Sequence, residues 1–441
     1  MDILIAGAGT VGYSLARTLS YRHNVTVIDK DQQKLDRLDE DIDILVLKGD
    51  VEDPKTYRSL LIDRIDLFIA VTDSDEANLL ATLIVEDEVT VSRKIVRLKN
   101  DAFLKSHVLH KLSIDHAVFP DITTANKVKA LFTFPKANNV KVFHQCRQKL
   151  ISIRVASPKR EGMRIAQLSS QDVQVVGLER QKDFIIPSQD TQIEPHDLLY
   201  LFGNVEVIEK LSLELDTTLP TSIRKVVIFG ANRLAQKIAK ALLEKPLEIK
   251  MIEKEMRLCK EADLFLEGKV QVINAAYDDH RLFEEEGIKY ADMVIAAGWN
   301  DEKNIVKCVE AKEYGIAKVV AINNDKSYYH LMHKMGVVVV RGSKAGAHYA
   351  ILEKIASSTV VTQRLYCGGT AVLFMRKIYP DSTLIGRKIK AMKGAYIRSM
   401  LIRQSALLSL NEAAYWQEAD TVVVFGHIDE KEKMEQWIYT L

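Results

Sequence analysis

The residues best suited to chemistry form a glycine-rich turn near the start of the chain, Gly7-Ala8-Gly9-Thr10-Val11-Gly12. An apolar run at 3–6 leads into this turn, and a segment with helical periodicity at 11–19 follows it. In such a turn one glycine allows a tight bend, a second lets the backbone approach a pyrophosphate, and a third lets helix and strand pack closely. The amides at the helix start then face the phosphates, where the helix dipole favours negative charge. The pattern predicts a phosphate-binding turn, but the glycines alone are a weak signal.

An acidic residue strengthens this prediction. Asp29, followed by Lys30, ends the second apolar run 20 residues after Gly9, where an acid accepts the ribose hydroxyls of an adenosine. Such an acid also repels a 2′-phosphate, so we expect NAD(H) to be preferred over NADP(H). The alternative is that Asp29 only caps the helix that starts at residue 32.

Three more candidates follow the third apolar run. Gly49, Asp50 and Val51 fall at the carboxyl end of a predicted strand, where ligands of parallel sheets bind. Asp50 could equally cap the turn before Pro54. Both interpretations stay open at this point.

The last candidates lie after the fourth run and in the fifth. Thr72 and Asp73 are expected to line the crevice where the strand order reverses, and the segment that continues to Asn78 is included in the candidate site. Arg97 is a charge within an apolar strand, and a buried guanidinium normally needs an anionic partner. A phosphate is one candidate partner, and an internal pair with Asp73 is the other.

These residues must be positioned by elements that the chain contains twice. Gly7 is matched by Gly230, a shift of 223 residues, and the segment 197–203 is matched by 420–426 at the same shift. Insertions of a few residues account for the drift between other matched segments. The chain is therefore two tandem copies of about 220 residues.

Each copy has two parts with different periodicity. In the first part, unbroken apolar runs alternate with helix-period segments, including one at 103–112, which predicts a doubly wound parallel sheet, a Rossmann-like α/β domain. In the second part, short strands and one small helix at 164–168 predict a small α/β lobe. The predicted domains are 1–135, 136–218, 219–358 and 359–441, in the order large, small, large, small.

The second copy differs from the first at several positions of the predicted nucleotide site. The second and third glycines of its turn are Asn232 and Ala235, and alanines stand where the first copy has Asp50 and Arg97. Glu253 keeps the position of the acid, but a side chain at residue 232 would obstruct a phosphate. We expect the first pocket to be occupied and the second to be weak, altered or structural.

Composition excludes several classes of protein. The chain has 61 basic and 60 acidic residues without a basic stripe, so we expect no nucleic-acid binding. No apolar run approaches the roughly 18 residues of a membrane span. The four cysteines have no Cys-x-x-Cys spacing, which argues against a disulfide framework and against a metal site made of thiolates. Since the first strand begins at residue 3 without a leader, the protein is expected to be cytoplasmic.

No catalytic or metal-binding group is predicted. Tyr314 and Lys318 have the Tyr-x-x-x-Lys spacing of a dehydrogenase pair, but Gly315 separates them and Lys318 opens the next strand. The pairs His107-x-x-His110 and His330-x-x-His333 recur in both copies and could each form half of a metal site. No further ligand is evident in the sequence near either pair, so we expect solvated helix faces.

The motifs together resemble the RCK (KTN) family, in the tandem form that regulates Trk-type potassium uptake systems. The likeness rests on the order of modules, the Gly-Ala-Gly-x-Val-Gly turn, and the segments 48–54, 70–78 and 197–203. It implies a peripheral protein on the cytoplasmic face of a Trk-type potassium-translocating membrane subunit, assembled as a homo-oligomeric ring, expected to be a tetramer, and controlled by nucleotides. Members that prefer ATP commonly have arginine where this chain has Thr10, so the resemblance favours NAD(H), with ATP or ADP as further ligands.

Three functions follow as hypotheses. A nucleotide-sensing regulator of potassium uptake needs a ligand pocket and a second surface but no reaction. An NAD-dependent oxidoreductase, the alternative, would also need a substrate pocket and a positioned acid or base. A redox-sensing transcriptional repressor would need a helix-turn-helix with basic contacts, which the charge balance and module order do not offer.

Overall fold

A computed structural model describes the chain apart from residues 144, 220, 278, 280, 326, 356, 358–359, 393, 395 and 411–412. The chain divides into two compact units, one of residues 1–123 and 342–356 and the other of residues 124–341 and 357–441. Among the described residues, no helix is both long and apolar enough to cross a membrane. The division into four domains at residues 135, 218 and 358 stays a prediction.

The described strands and helices are these. The strands are β1 Asp2–Ala6, β2 Asn24–Asp29, β3 Leu45–Lys48, β4 Arg64–Ile65, β5 Leu67–Ala70, β6 Thr90–Val91, β7 Lys94–Arg97, β8 His116–Val118, β9 Ala137–Val142, β10 Lys149–Arg154, β11 Val173–Arg180, β12 Asp183–Ile185, β13 Leu198–Gly203, β14 Lys225–Phe229, β15 Glu248–Glu253, β16 Gln271–Asn274, β17 Met293–Ala296, β18 Lys318–Asn323, β19 Val338–Arg341, β20 Val361–Tyr366, β21 Ala371–Lys377, β22 Ile397–Arg403, β23 Ala406–Ser409 and β24 Thr421–His427. The α-helices are α1 Thr10–Leu19, α2 Gln32–Asp41, α3 Pro54–Arg58, α4 Asp75–Glu88, α5 Val108–Lys111, α6 Pro120–Thr133, α7 Val205–Leu215, α8 Arg233–Leu242, α9 Met256–Phe265, α10 Leu282–Glu285, α11 Asp301–Glu313, α12 Tyr329–Lys334, α13 Ser343–Leu352 and α14 Lys431–Thr440.

The first unit is built on a six-stranded parallel sheet with the order β3-β2-β1-β5-β7-β8. The central strands β5 and β7 are buried at every residue. β5 is accordingly apolar throughout, whereas the apolar centre of β7 is flanked by the buried Lys94 and Arg97. The strand order reverses between β1 and β5, so a crevice opens at the carboxyl ends of these two strands. The predicted doubly wound fold is confirmed.

One helix of the first unit comes from the second copy of the repeat. Helix α13 packs against α1 and β8, and Thr18 Oγ1 lies 3.2 Å from His348 Nε2 at this contact. The Ser343 hydroxyl donates a hydrogen bond to Asp121. A helix that follows more than 200 positions later in the chain is therefore part of the first unit.

The second unit repeats the first sheet and adds two others. Its parallel sheet has the order β16-β15-β14-β17-β18-β19, the same as in the first unit, which confirms the duplication. Two five-stranded antiparallel sheets, β12-β11-β13-β10-β9 and β20-β21-β24-β22-β23, form the small lobes. These sheets share an aromatic core in which the rings of Phe202 and Phe425 lie 5.1 Å apart between centroids.

Two predicted helices are shorter than the sequence pattern indicates. Residues 103–112 form a 3-10 turn, Asp101–Lys105, and the single turn α5, because Ser106 between them is extended. Neither turn has a fully buried side chain, and only Phe103 and Leu109 pack against the core, as partly buried residues, which is little support for a continuous helix. The helix predicted at 164–168 is a single 3-10 turn, Ile165–Gln167.

A bidentate ion pair recurs in both small lobes. Arg180 donates from Nε and Nη2 to the two carboxylate oxygens of Asp197, at 3.0 and 2.8 Å. Arg403 and Asp420 repeat it at 2.9 and 2.7 Å. Each aspartate is only 1 % exposed, so its charge depends on the arginine for compensation.

We expect Asp197→Asn to lower the free energy of unfolding by about 3 kcal/mol, because it leaves the Arg180 guanidinium without its buried counter-charge. Urea denaturation of the purified chain measures this change. Asp190→Asn is the matched control, because Asp190 is 84 % exposed beside Arg164 and a surface pair contributes about 1 kcal/mol or less. Equal losses in the two variants would contradict this account.

Candidate functional site

A cleft of about 420 Å³ opens where β1 and β5 end in the first unit. This volume lies within the roughly 300–1,000 Å³ of small-molecule sites. Twelve of the residues predicted for the site line it, namely Gly7, Gly9, Thr10, Val11, Asp29, Lys30, Gly49, Asp50, Val51, Thr72, Asp73 and Arg97. The other three predicted residues, Ala8, Gly12 and Asn78, are not among its lining residues.

The three glycines of the turn have separate structural roles. Gly7 has a backbone φ of +112°, which residues with a side chain rarely adopt. Its amide donates a hydrogen bond to the Ile28 carbonyl at 2.8 Å. A Cβ on Gly12 would lie 1.8 Å from the Gly7 carbonyl oxygen, so only a hydrogen atom fits between helix and turn. A Cβ on Gly9 would meet no atom within 4 Å. Gly7 and Gly12 thus serve the fold, whereas Gly9 keeps space open in the cleft.

Asp29 is held at the rim of the cleft by two backbone amides. Its Oδ2 accepts from the Ala8 amide at 2.7 Å, and its Oδ1 accepts from the Asp31 amide at 2.9 Å. Asp31, and not Asp29, caps α2 by accepting from the Gln33 amide, so the capping interpretation of Asp29 is wrong. Each carboxylate oxygen has a second lone pair, which leaves Asp29 able to accept hydroxyl hydrogen bonds from a ligand.

Asp50 both stabilises a turn and lines the cleft, so the two interpretations of this residue do not exclude each other. Its Oδ1 accepts from the Glu52 amide at 3.1 Å and so stabilises a turn. The cap of α3 is a different residue, Asp53, which accepts from the Lys55 amide at 2.9 Å. Asp50 also lines the cleft. Its carboxylate therefore shapes the loop and faces the site.

Arg97 and Asp73 form the internal pair that was one of the two alternatives. Arg97 Nη1 lies 3.3 Å from Asp73 Oδ1, a long contact. The guanidinium is nearly buried, and its Nε has no hydrogen-bond partner among the described atoms. Burial raises the pKa of Asp73, but the charges of Arg97, Lys99 and Lys344 outweigh this and hold the pKa below its usual value. Arg97 therefore gives the cleft a positive charge, and its Nε–H can still donate a hydrogen bond.

Asn78 lies behind the cleft and connects two strand ends. Its Oδ1 accepts from the Thr72 amide at 2.9 Å and from the Thr72 hydroxyl at 2.7 Å. Its Nδ2 donates to the carbonyls of Thr72 and Arg97, at 3.1 and 2.9 Å. Asn78 is fully buried, so it positions Thr72 and Arg97 for the site.

The sequence analysis missed several lining residues. Lys34, Glu52 and Ser74 are near the predicted ones in sequence. Lys344 is not, because it lies on α13, in the second copy of the repeat, and its charge acts on Asp73 across the cleft lining. No local pattern around Lys344 indicates this position.

In the corresponding region of the second unit, side chains of that unit bond the polar groups of the turn and of the acid. Asn232 Nδ2 donates to the Ala297 carbonyl at 2.6 Å, and its Oδ1 accepts from the Ala235 amide at 3.0 Å. Glu253 is buried and accepts from the Ala231 amide at 3.0 Å and from the Tyr277 hydroxyl at 2.9 Å. Where the first copy has Val51, the second has this tyrosine. The second copy therefore keeps the turn, but side chains of the same unit already hydrogen-bond its polar groups.

Two protein families match this chain. The TrkA-N domain family matches residues 3–120 and 226–341, and the TrkA-C domain family matches residues 150–216. The chain is 30% identical to the Trk system potassium uptake protein TrkA homolog of Archaeoglobus fulgidus, over 99% of each chain. It is 26% identical to the Trk system potassium uptake protein TrkA of Halomonas elongata, over 96% of this chain and 95% of that protein.

Solved structures share the fold over the whole chain. The GsuK RCK domain superposes with a TM-score of 0.60 at 17% identity, over 100% of this chain and 95% of that one. The GsuK channel bound to NAD gives a TM-score of 0.60 at 18% identity, over 100% of this chain and 79% of that one. At these identities the similarity shows the fold.

The two glycines at the start of α1 provide a direct test of the turn. We expect Gly12→Ala to lower the free energy of unfolding by about 3 kcal/mol, because the methyl group collides with the Gly7 carbonyl. Gly9→Ala has room for its methyl group and should stay within about 1 kcal/mol of the parent chain. Thermal or urea unfolding of both variants measures the difference, and a Gly9 variant as unstable as the Gly12 variant would refute the assigned geometry.

Proposed function

The chain belongs to the TrkA family, and we propose that it is a nucleotide-sensing regulatory subunit of a potassium uptake system. The observation that carries this proposal is the cleft of the first unit, in which a glycine turn, a helix start and a fixed carboxylate meet. The names of the relatives provide the second support, since they assign those proteins to Trk potassium uptake.

NAD(H) is the ligand that the cleft suits best. The first turn of α1 contains no acidic residue, so its free amides and dipole can face a pyrophosphate beside Gly9. Asp29 can accept the ribose hydroxyls and would repel the 2′-phosphate of NADP(H). Arg97 and Lys344 add positive charge on the side of the cleft where Asp73 lies. ATP and ADP share the adenosine and phosphate chemistry and are secondary candidate ligands.

The proposed role is binding without a reaction. The Tyr314–Lys318 pair cannot act as a catalytic pair, because Tyr314 follows α11 and Lys318 begins β18. The Lys318 ammonium donates to the carbonyls of Leu131 and Phe134 at 2.7 and 2.8 Å. Burial lowers the pKa of Lys318 to about 7, but its donors serve the end of α6. This lysine is structural.

The proposed partner is a Trk-type potassium-translocating subunit at the inner face of the cell membrane, with this chain as a cytoplasmic, peripheral protein. Self-association into a ring, proposed to be a tetramer, requires head-to-tail contacts. Nucleotide binding would shift the angle between domains. A coupling free energy of about 1–3 kcal/mol is enough to change channel opening several-fold.

The Gly9 position tests nucleotide binding separately from folding. We expect Gly9→Leu to abolish NADH binding, because the side chain projects into the space reserved for the pyrophosphate, while the melting temperature stays close to that of the parent chain. Isothermal titration calorimetry measures the affinity. Arg17→Leu, an exposed position on the same helix outside the cleft, is the control that should bind normally. Intact binding by Gly9→Leu would refute the pocket assignment.

Potassium transport tests the physiological role. Cells that lack this chain should take up potassium, or its tracer rubidium, more slowly at low external potassium, and the parent chain should restore uptake. We expect Gly9→Leu to restore uptake without its normal response to the cellular NADH level. Unchanged uptake in the deletion strain would contradict the transport role, and multiple turnovers of NADH with a metabolite would favour an oxidoreductase.

A further inference from the structure

A second polar cluster lies in the second unit, away from the nucleotide cleft. It joins Glu179 in β11, His333 in α12 and Cys367 at the start of the 3-10 turn Cys367–Gly369. Glu179 Oε2 lies 2.6 Å from His333 Nε2 and 3.2 Å from Cys367 Sγ. The three donor atoms all lie within 4.8 Å of one another. The expectation that His333 belongs to a solvated helix face, without further ligands nearby, is therefore wrong.

The backbone around Cys367 is shaped to bring thiol and imidazole together. Cys367 has φ +48°, in the left-handed region that non-glycine residues rarely adopt. Gly368 follows with φ +62°, and a Cβ there would come within 2.9 Å of the His333 ring. A glycine is thus required for the ring to lie against the turn. His330, one turn earlier on α12, is exposed and is not part of the cluster.

We propose that Glu179, His333 and Cys367 bind one Zn²⁺ ion. A thiolate, an imidazole and a carboxylate are the three ligand types that zinc uses in proteins. Their two negative charges balance the metal, which makes a site in the protein interior electrically neutral. Ligand atoms around tetrahedral zinc are roughly 3.3–3.6 Å apart. The Oε2–Sγ separation is therefore nearly in place, whereas the Oε2–Nε2 separation of 2.6 Å must lengthen by roughly 1 Å.

Without metal, the Cys367 thiol and the His333 imidazole both hydrogen-bond to the same oxygen of the Glu179 carboxylate, at 3.2 and 2.6 Å. Zinc binding would release the Cys367 thiol proton to solvent and form the Zn–S bond in its place. The Nε2 proton that His333 donates to Glu179 would shift to Nδ1 through solvent, so that Nε2 ligates the metal as a neutral imidazole. A cavity lined by Tyr200, Asn139 and Arg154 adjoins the cluster and leaves room for a water as fourth ligand.

The three ligands come from three separate parts of the second unit. β11 belongs to the first small sheet, α12 follows the parallel strand β18, and the turn of Cys367 joins β20 to β21 in the second small sheet. One metal ion would therefore tie together elements that are far apart in the chain. This role is independent of nucleotide binding at the first unit.

Cobalt serves as a spectroscopic substitute for zinc in the test. We expect the full chain, purified with a chelator and dialysed, to bind one Co²⁺ and to develop a sulfur-to-cobalt charge-transfer band in the near ultraviolet, which added Zn²⁺ abolishes. Cys367→Ser should lose the band, and His333→Ala and Glu179→Gln should weaken Co²⁺ binding by more than about tenfold. His330→Ala and Cys146→Ser are the matched controls and should behave like the parent chain.

Two results would overturn the zinc site. The first is a parent chain that takes up no stoichiometric Co²⁺, and the second is a charge-transfer band that persists in Cys367→Ser. If Cys367→Ser fails to fold, Glu179→Gln decides the matter, since it keeps the size and shape of the side chain. Zn²⁺ should raise the melting temperature of the parent chain, reversibly with a chelator, and leave that of Glu179→Gln unchanged. An equal rise in both would refute the assignment of the ligands.

Discussion

The candidate site depends on how closely helix α1 approaches the end of strand β1. Only a hydrogen atom fits between Gly12 and the Gly7 carbonyl, so the helix begins directly at the turn and its free amides face the crevice. The same turn directs the Ala8 amide at the Asp29 carboxylate. A single steric constraint therefore aligns a helix dipole with a fixed acid, which together suit the phosphate and ribose of one nucleotide.

Duplication preserved the sheet and changed the site. Both parallel sheets have the same strand order, and Asn78 and Asn304 make matching hydrogen bonds to the carbonyls of Arg97 and Ile322. The structural counterpart of Arg97 is therefore Ile322, so the expectation of an alanine at this position is wrong. In the second copy, Asn232 and Tyr277 satisfy polar groups that the first copy leaves to face its cleft. The fold tolerates this change because strand order is determined by buried apolar residues, whereas the site lies outside the strand ends.

Buried cations connect elements throughout the molecule. Lys318 binds the carbonyls at the end of α6, and Lys136 binds the carbonyls of Asp216 and Leu219 at 2.6 and 2.8 Å. Helix ends leave carbonyls without partners, and an ammonium group with three donors can satisfy several of them at once. A lowered pKa at Lys318 thus reflects burial at a structural contact, which shows why titration alone does not identify a functional lysine.

The sequence by itself determined the repeat, the parallel sheets and most of the nucleotide cleft. It could do so because the glycine turn, Asp29 and the strand ends follow local rules of backbone geometry and periodicity. Only the tertiary structure decided that Lys344 reaches the first cleft, that Asn78 lies behind it, and that Tyr277 bonds the acid of the second turn. It alone brought Glu179, His333 and Cys367 together. These contacts join residues far apart in the chain through side-chain packing, which leaves no periodic pattern in the sequence.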